Sequence, residues 1–309
     1  MGSTMVLARA SLAAVLAFAV TAVTTAQNEA PQTTFKSGLD LVSVAVVVRD
    51  GDGRIVPNLR VEDFEIFDNG EARPIVQFHR GQDADARMAL LVDSSGSMVL
   101  TGKRERSLLA THLLTAGFGS AEAATVFSFD SQVRRLTPFT RNAETLLTAV
   151  KSVEPYGVTC LYDAIVGTVE SVRDEAPRTR AIVLLTDGVD TGSSVSAADA
   201  ATAAAALDLP VYVLGVGNEM LKTTVLPPST EGKPSITLSE LATRTGGMAV
   251  EAQSVADMSI ITRTILSELR HQYTLAFSAR TARGWHPINV RIRKSGRVQA
   301  RSRDGYLVK

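Results

Sequence analysis

The chain has 309 residues, 45% of them hydrophobic and 21% charged, and its 32 basic residues balance 32 acidic ones. That composition builds a folded protein rather than a disordered one, and the length suits one large domain or two smaller ones. With neither a basic excess nor a basic run, there is no electrostatic footprint for nucleic acid, so the partner is expected to be a protein, a peptide or a small molecule. Cys160 is the single cysteine, which leaves no intramolecular disulfide and no lipid-bearing cysteine near the N-terminus.

Residues 1–26 read as a targeting segment rather than as part of the fold. Arg9 supplies a thin positive region, Ala10 to Val23 an apolar run, and Val23-Thr24-Thr25-Ala26 a stretch of small residues for cleavage. The run is shorter than the roughly 20 residues of a spanning helix, so export with cleavage near Ala26 is expected, to the periplasm or the extracellular space. An uncleaved anchor is the alternative, and membrane contact is expected only in that case. Residues 27–37, polar and Pro-containing, read as a linker.

Residues 38–82 are β-rich. Val42, Val44, Val46 and Val48 alternate with Ser43, Ala45 and Val47 in a strand pattern. Asp50-Gly51-Asp52-Gly53 marks a turn. It is not a calcium loop, because Arg54 and Val61 stand at the fifth and twelfth positions, where such a loop needs oxygen ligands. Phe64, Ile66 and Asp68 run into Asn69-Gly70, a hairpin signal, with Ile75 to Phe78 expected as the return strand.

Between residues 84 and 271 the pattern changes. Apolar runs of strand length, at Met88 to Val92, Ala181 to Leu185 and Val211 to Val216, alternate with helical stripes. Thr125 to Phe129 and Val133 to Leu136 form a hairpin, and Met248 to Val250 is a short last strand. Leu161, Ile165, Val169 and Val172 share one helix face, Ala197 to Leu207 is alanine-rich, and Met258, Ile261, Ile265 and Leu269 form a final stripe. Strands buried on both faces and joined by helices predict an α/β fold with a doubly wound, mostly parallel sheet. Residues 272–309 return to β, with Tyr273 to Phe277, Ile288 to Ile292, Val298, and Tyr306 to Val308. Too few strands stand at either end to bury a core alone. The two ends are therefore predicted to pair into one smaller β-sandwich with the α/β layer inserted between them.

The chemistry concentrates at strand ends. Asp93-Ser94-Ser95-Gly96-Ser97 follows the first core strand, where doubly wound sheets bind ligands. One carboxylate and two hydroxyls gather there, and Gly96 permits the tight turn. Gly157-Val158-Thr159 opens a helix and offers a third hydroxyl. Thr186-Asp187-Gly188 ends a neighbouring strand and sets a second carboxylate beside Asp93. Two adjacent carboxylates repel unless a cation intervenes, and an all-oxygen set suits a hard dication.

The order DxSxS, loop threonine, TDG resembles the metal-ion-dependent adhesion site of von Willebrand factor type A domains, over about residues 84–270. The resemblance implies that Asp93, Ser95, Ser97, Thr159 and Asp187 bind Mg²⁺ or Mn²⁺. It implies further that an open coordination position accepts an Asp or Glu from a protein partner. In some such domains metal coordination is coupled to movement of the last helix, here about Val255 to Arg270. Val61-Glu62-Asp63-Phe64, Asp68-Asn69-Gly70 and the ending Trp285-His286-Pro287-Ile288 to Asp304-Gly305-Tyr306 look similar to the exported VWFA-related proteins of acidobacteria. The chain departs from the family at Cys160, where a small residue or proline is common, and a packing role is expected for this thiol. The loop from Asn218 to Ser235 either shapes partner choice or is a surface excursion.

Catalysis is not expected. No G-x-S-x-G is present, and His79, His112, His271 and His286 fall in no catalytic pattern, His286 being read as a surface residue in a turn. A metal-assisted hydrolase, lacking a legible general base, and a metal-free scaffold are the competing readings.

Overall fold

The computed structural model describes residues 41–81, 86–99, 102–175, 179–188, 190–217, 236–279, 282–293 and 296–308. The expected targeting segment, the linker and the 218–235 loop lie outside the described residues. No described helix is long and apolar enough to cross a membrane.

Five described strands run parallel in the central sheet. They are β5 (Ala86–Asp93), β6 (Glu122–Phe129), β8 (Thr179–Thr186), β9 (Val211–Gly215) and β10 (Ala249–Glu251). With β7 (Val133–Arg135) as an antiparallel edge, the order is β10-β9-β8-β5-β6-β7. Alternate side chains of each core strand go to opposite faces. Ala89, Leu91, Phe127, Phe129, Ile182, Leu184, Val211 and Val213 pack under α3 (Leu161–Val172), α4 (Ala197–Ala206) and α5 (Leu238–Thr245). Met88, Leu90, Val92, Ala124, Val126, Val183, Leu185 and Leu214 pack under α1 (Lys103–Ala116), α2 (Ala143–Lys151) and α6 (Val255–His271). Burial on both faces is why these strands read as unbroken apolar runs. Each fully buried leucine or isoleucine stabilises the fold by roughly 1.5–3 kcal/mol relative to exposure.

The remaining strands form two antiparallel sheets, each mixing the two ends of the chain. β1 (Leu41–Asp50), β4 (Gln77–Arg80), β11 (Tyr273–Ser278) and β13 (Val298–Arg301) run in the order β13-β1-β11-β4. β2 (Phe64–Asp68), β3 (Glu71–Arg73), β12 (Gly284–Ile292) and β14 (Gly305–Val308) run β14-β12-β2-β3. Val44, Val46, Phe64, Ile66, Leu275, Phe277, Ile288 and Tyr306 close one core between them, so the predicted sandwich forms. The α/β layer leaves from β4 and returns into β11, and these two strands are paired, Tyr273 opposite Arg80. The insertion therefore begins and ends at one place. The sandwich is tied to the helices through fully buried Glu268 of α6, which binds Arg49 at 2.6 Å and also pairs with Arg301. Asp208 adds a bond by accepting from the Ala45 amide at 3.0 Å.

Two expectations for the sandwich need correction. The hairpin turn at Asn69-Gly70 forms, both residues having positive φ (51° and 80°), but its return strand is Glu71–Arg73 rather than Ile75 to Phe78. A two-residue turn makes the chain pair at once, and Pro74, which has no N–H, ends the pairing. The chain then crosses to the other sheet as β4. His286 is not a surface residue in a turn; it lies inside β12, 3% exposed. Its Nε2 donates to the Ala282 carbonyl at 2.7 Å, its Nδ1 lies 3.3 Å from the fully buried Asp68, and its ring stacks on Tyr306. With Asn69 Nδ2 also standing 3.1 Å from Nδ1, both ring nitrogens have partners, which is what makes an interior histidine tolerable. The Asp50 turn closes as expected, Asp50 Oδ1 accepting from the amides of Asp52 and Arg54 at 3.0 and 2.9 Å.

Candidate metal centre

β5 is the first strand of the central sheet, with later strands added on both sides of it: β6 on one, β8 on the other. Their carboxyl ends therefore face the crevice where strand order reverses, the place such sheets use for ligands. Asp93 ends β5 and Asp187 follows β8, so both carboxylates stand at this crevice.

Three loops are stitched together around it. The Ser95 amide donates to Asp93 Oδ1 at 2.9 Å, folding the serine loop back on its own carboxylate. Ser95 and Ser97 hydroxyls lie 3.0 Å apart. The Gly96 amide donates to the Gly157 carbonyl at 3.1 Å, and the Tyr156 amide to the Ser94 carbonyl at 2.8 Å, which docks the threonine loop on the serine loop. Gly157 sits at φ 79°, where a side chain is disfavoured. Thr159 is tied to the third loop, its amide donating to Thr191 Oγ1 at 3.0 Å and its carbonyl accepting from Thr191 and Gly192. Thr186 Oγ1 donates to Asp93 Oδ2 at 2.6 Å, linking β8 to β5 directly. All five candidate residues thus stand on mutually bonded loops; Asp93, Ser95, Thr159 and Asp187 are buried and Ser97 is half-buried.

The electrostatics are unbalanced. Burial, acting first, pushes the Asp93 carboxyl up to about 6, against the bonds from Ser95 and Thr186; the charge of Asp187 adds to the rise. Asp187 Oδ2 accepts from Lys103 Nζ at 2.8 Å, while Asp187 Oδ1, also buried, has no hydrogen-bond partner among the described residues. A buried carboxylate oxygen left open is costly unless something fills it. Among the described residues no group of three or more His, Cys, Asp or Glu side chains is placed to hold a metal ion. A cation here would therefore rely on hydroxyls beside the two carboxylates, an oxygen set suited to Mg²⁺ or Mn²⁺.

Cys160 is buried with its Sγ facing Gly192, where an added Cβ would come within 3.0 Å. Burial, with the charges of Asp163, Asp190 and Asp130, raises its thiol and so disfavours the thiolate. Lys103 and Asp190 escaped the sequence reading. Asp190 accepts from the Leu161 amide at 2.8 Å and from Ser193, capping α3 from outside its own segment. Lys103 lies ten residues past Asp93 in no motif, so only the fold brings it to the site. Thr186 was in plain view within the TDG triplet.

Comparison with known proteins adds the following. The chain is similar to an aerotolerance-related membrane protein from Bacteroides fragilis, at 20% identity over 60% of this chain and 98% of that one, TM-score 0.47. It is similar to a von Willebrand factor type A protein from Catenulispora acidiphila, at 12% identity over 86% and 73%, TM-score 0.49. A manganese-loaded TRAP protein from Plasmodium vivax matches at 14% identity over 79% and 100%, TM-score 0.43. At these identities, with TM-scores below 0.5, none of these likenesses extends to activity. No curated protein matches. Residues 88–189 match the family model of the von Willebrand factor type A domain, and that segment contains all five candidate residues.

Proposed function

We propose that the chain is an exported, non-enzymatic protein-binding module whose partner docks through a divalent cation. Asp93, Ser95, Ser97, Thr159 and Asp187 would hold Mg²⁺ or Mn²⁺. Bound there, the dication supplies Lewis acidity toward an Asp or Glu of the partner. The observation that carries this reading is the pairing of two buried carboxylates at one sheet edge, one of them with an open oxygen. Asp93 and Asp187 supply the charge, Ser95, Ser97 and Thr159 neutral oxygens, and Thr186 holds Asp93 in place.

The rim favours a protein over a small solute. Val99, Tyr156 and Val158, 67%, 81% and 49% exposed, flank the serine and threonine loops. Large apolar side chains left in water beside a charged centre are what a protein interface covers. The N-terminal segment supports export, and the likeness of the flanking strands to the acidobacterial subgroup belongs to the same reading.

The test is melting in Mg²⁺ against chelator, with pull-down from the exported fraction under both conditions. A ligand that binds only the native state raises its melting temperature, and partner capture is expected to require the ion. Capture that persists in chelator, or with Asp93→Ala, overturns metal-bridged docking. The Lys103–Asp187 ion pair favours a second reading, a metal-free scaffold. That reading predicts no melting shift at any Mg²⁺ concentration.

A further inference from the structure

We propose that Lys103 is a tethered cation, holding Asp187 when no metal is bound and setting the threshold a dication must exceed to enter. The inference rests on the metal-site reading above and concerns a residue outside the five-residue set.

Lys103 is the first residue of α1, and its N-cap, Gly102, offers no side-chain cap. A lysine is a poor choice there, because the positive end of the helix dipole repels it. The compensation comes from across the fold, where its ammonium donates to Asp187 Oδ2 at 2.8 Å. The two side chains are 20% and 6% exposed, so water screens this pair less than a surface one. The pair neutralises one oxygen of Asp187 and leaves Oδ1 open. One positive charge thus faces two carboxylates, since Asp93 stands at the same edge.

A dication brings a second charge and can satisfy both carboxylates, whereas the ammonium, as placed here, bonds one oxygen of Asp187. Its arrival releases Lys103, whose flexible four-carbon stem already reaches solvent. The energy of the broken pair is subtracted from the metal's affinity. The ammonium also spares the metal-free protein the full repulsion between Asp93 and Asp187.

The experiment compares the wild type with Lys103→Met and Lys103→Gln, folding being checked by circular dichroism. Mn²⁺ binding is measured by isothermal titration, and melting is followed in chelator and in Mg²⁺. In both variants the Mn²⁺ dissociation constant should fall about tenfold, as expected for losing one half-buried competing pair. The metal-free melting temperature should fall too, and Mg²⁺ should raise it by more than it does in the wild type. Lys103→Gln keeps a donor for Asp187 without the charge, so it carries the test if the methionine variant unfolds. Unchanged or weaker Mn²⁺ binding in the variants, with the wild type binding, overturns the role of Lys103 and leaves the metal site standing. Absence of Mn²⁺ binding in all three proteins overturns the site itself, and this inference with it.

Discussion

Asp93→Asn should make the metal-free protein more stable while removing its response to metal. Asp93 is 2% exposed, and its carboxyl is raised from 3.8 to about 6. A folded-state value above the unfolded one means that the native state holds its proton longer. Stability therefore falls as pH rises from about 4 to about 6, and the deficit is complete above that. At about 1.4 kcal/mol per pH unit, carrying an ionised Asp93 at neutral pH costs the metal-free fold on the order of 3 kcal/mol. Asparagine keeps one oxygen for the Ser95 amide and turns its NH₂ toward Thr186, whose hydroxyl then accepts instead of donating; with the charge gone, a gain of about 1–3 kcal/mol is expected in chelator. In Mg²⁺ the order reverses. The wild type gains about 4 kcal/mol at a thousandfold excess over its dissociation constant, more than the lead of about 1–3 kcal/mol the variant holds in chelator, and the variant gains nothing. Urea denaturation of both proteins, with chelator and with Mg²⁺, reads this crossing directly. A variant less stable than the wild type in chelator, or one that Mg²⁺ stabilises equally, would refute the reasoning.

Three further outcomes are expected. Tyr156→Ser with Val158→Ser should weaken partner capture about tenfold or more, as loss of apolar anchors at an interface centre does, and leave the Mg²⁺-dependent melting shift intact; a lost melting shift would place these residues in the metal site instead. Glu268→Gln removes the charge that Arg49 and Arg301 share and sets an NH₂ against one of the two guanidinium groups, each arginine being 28% exposed beside a fully buried carboxylate; it should cost roughly 2–4 kcal/mol in urea denaturation, the lower part of the range reflecting water's access to the arginines. Burial alone would raise Glu122, but Arg270 at 2.8 Å and the Gly119 amide bring it below its usual 4.5. The stability it contributes is present above 4.5 and is lost as pH falls through the lower folded value, so Glu122→Gln should flatten the acid side of a melting-temperature profile; an unchanged profile would show that the pair contributes nothing.

Much of the architecture was legible along the chain because burial writes itself into local pattern. Strands covered on both faces must be apolar in their cores, and helices covered on one face must show a stripe; β5, β8 and β9 meet the first condition, and α3 and α6 the second. Polarity is no guide to burial where a side chain's partners lie far away in the chain. His286 looked like a surface residue because its partners, Asp68 and Tyr306, lie 218 and 20 positions away. Ile75 to Phe78 looked like a hairpin strand because nothing local says which sheet a strand joins. The second half of the hairpin was displaced by the pairing demanded at Asn69-Gly70 and by Pro74.

By itself the sequence determined the α/β class, the division between central sheet and outer strands, the strand-end positions of Asp93, Ser95, Ser97 and Asp187, and the place of Thr159 at the entry to a helix. Each of these follows from residue types and short-range spacing. Tertiary structure alone decided that outer strands from the two ends share sheets, that three loops bond to one another at the reversal of strand order, and that Lys103 stands on Asp187. The physical reason is common to all three: they depend on pairings between residues far apart in the chain, and long-range pairing is settled by the packing of the whole core, not by any window of sequence.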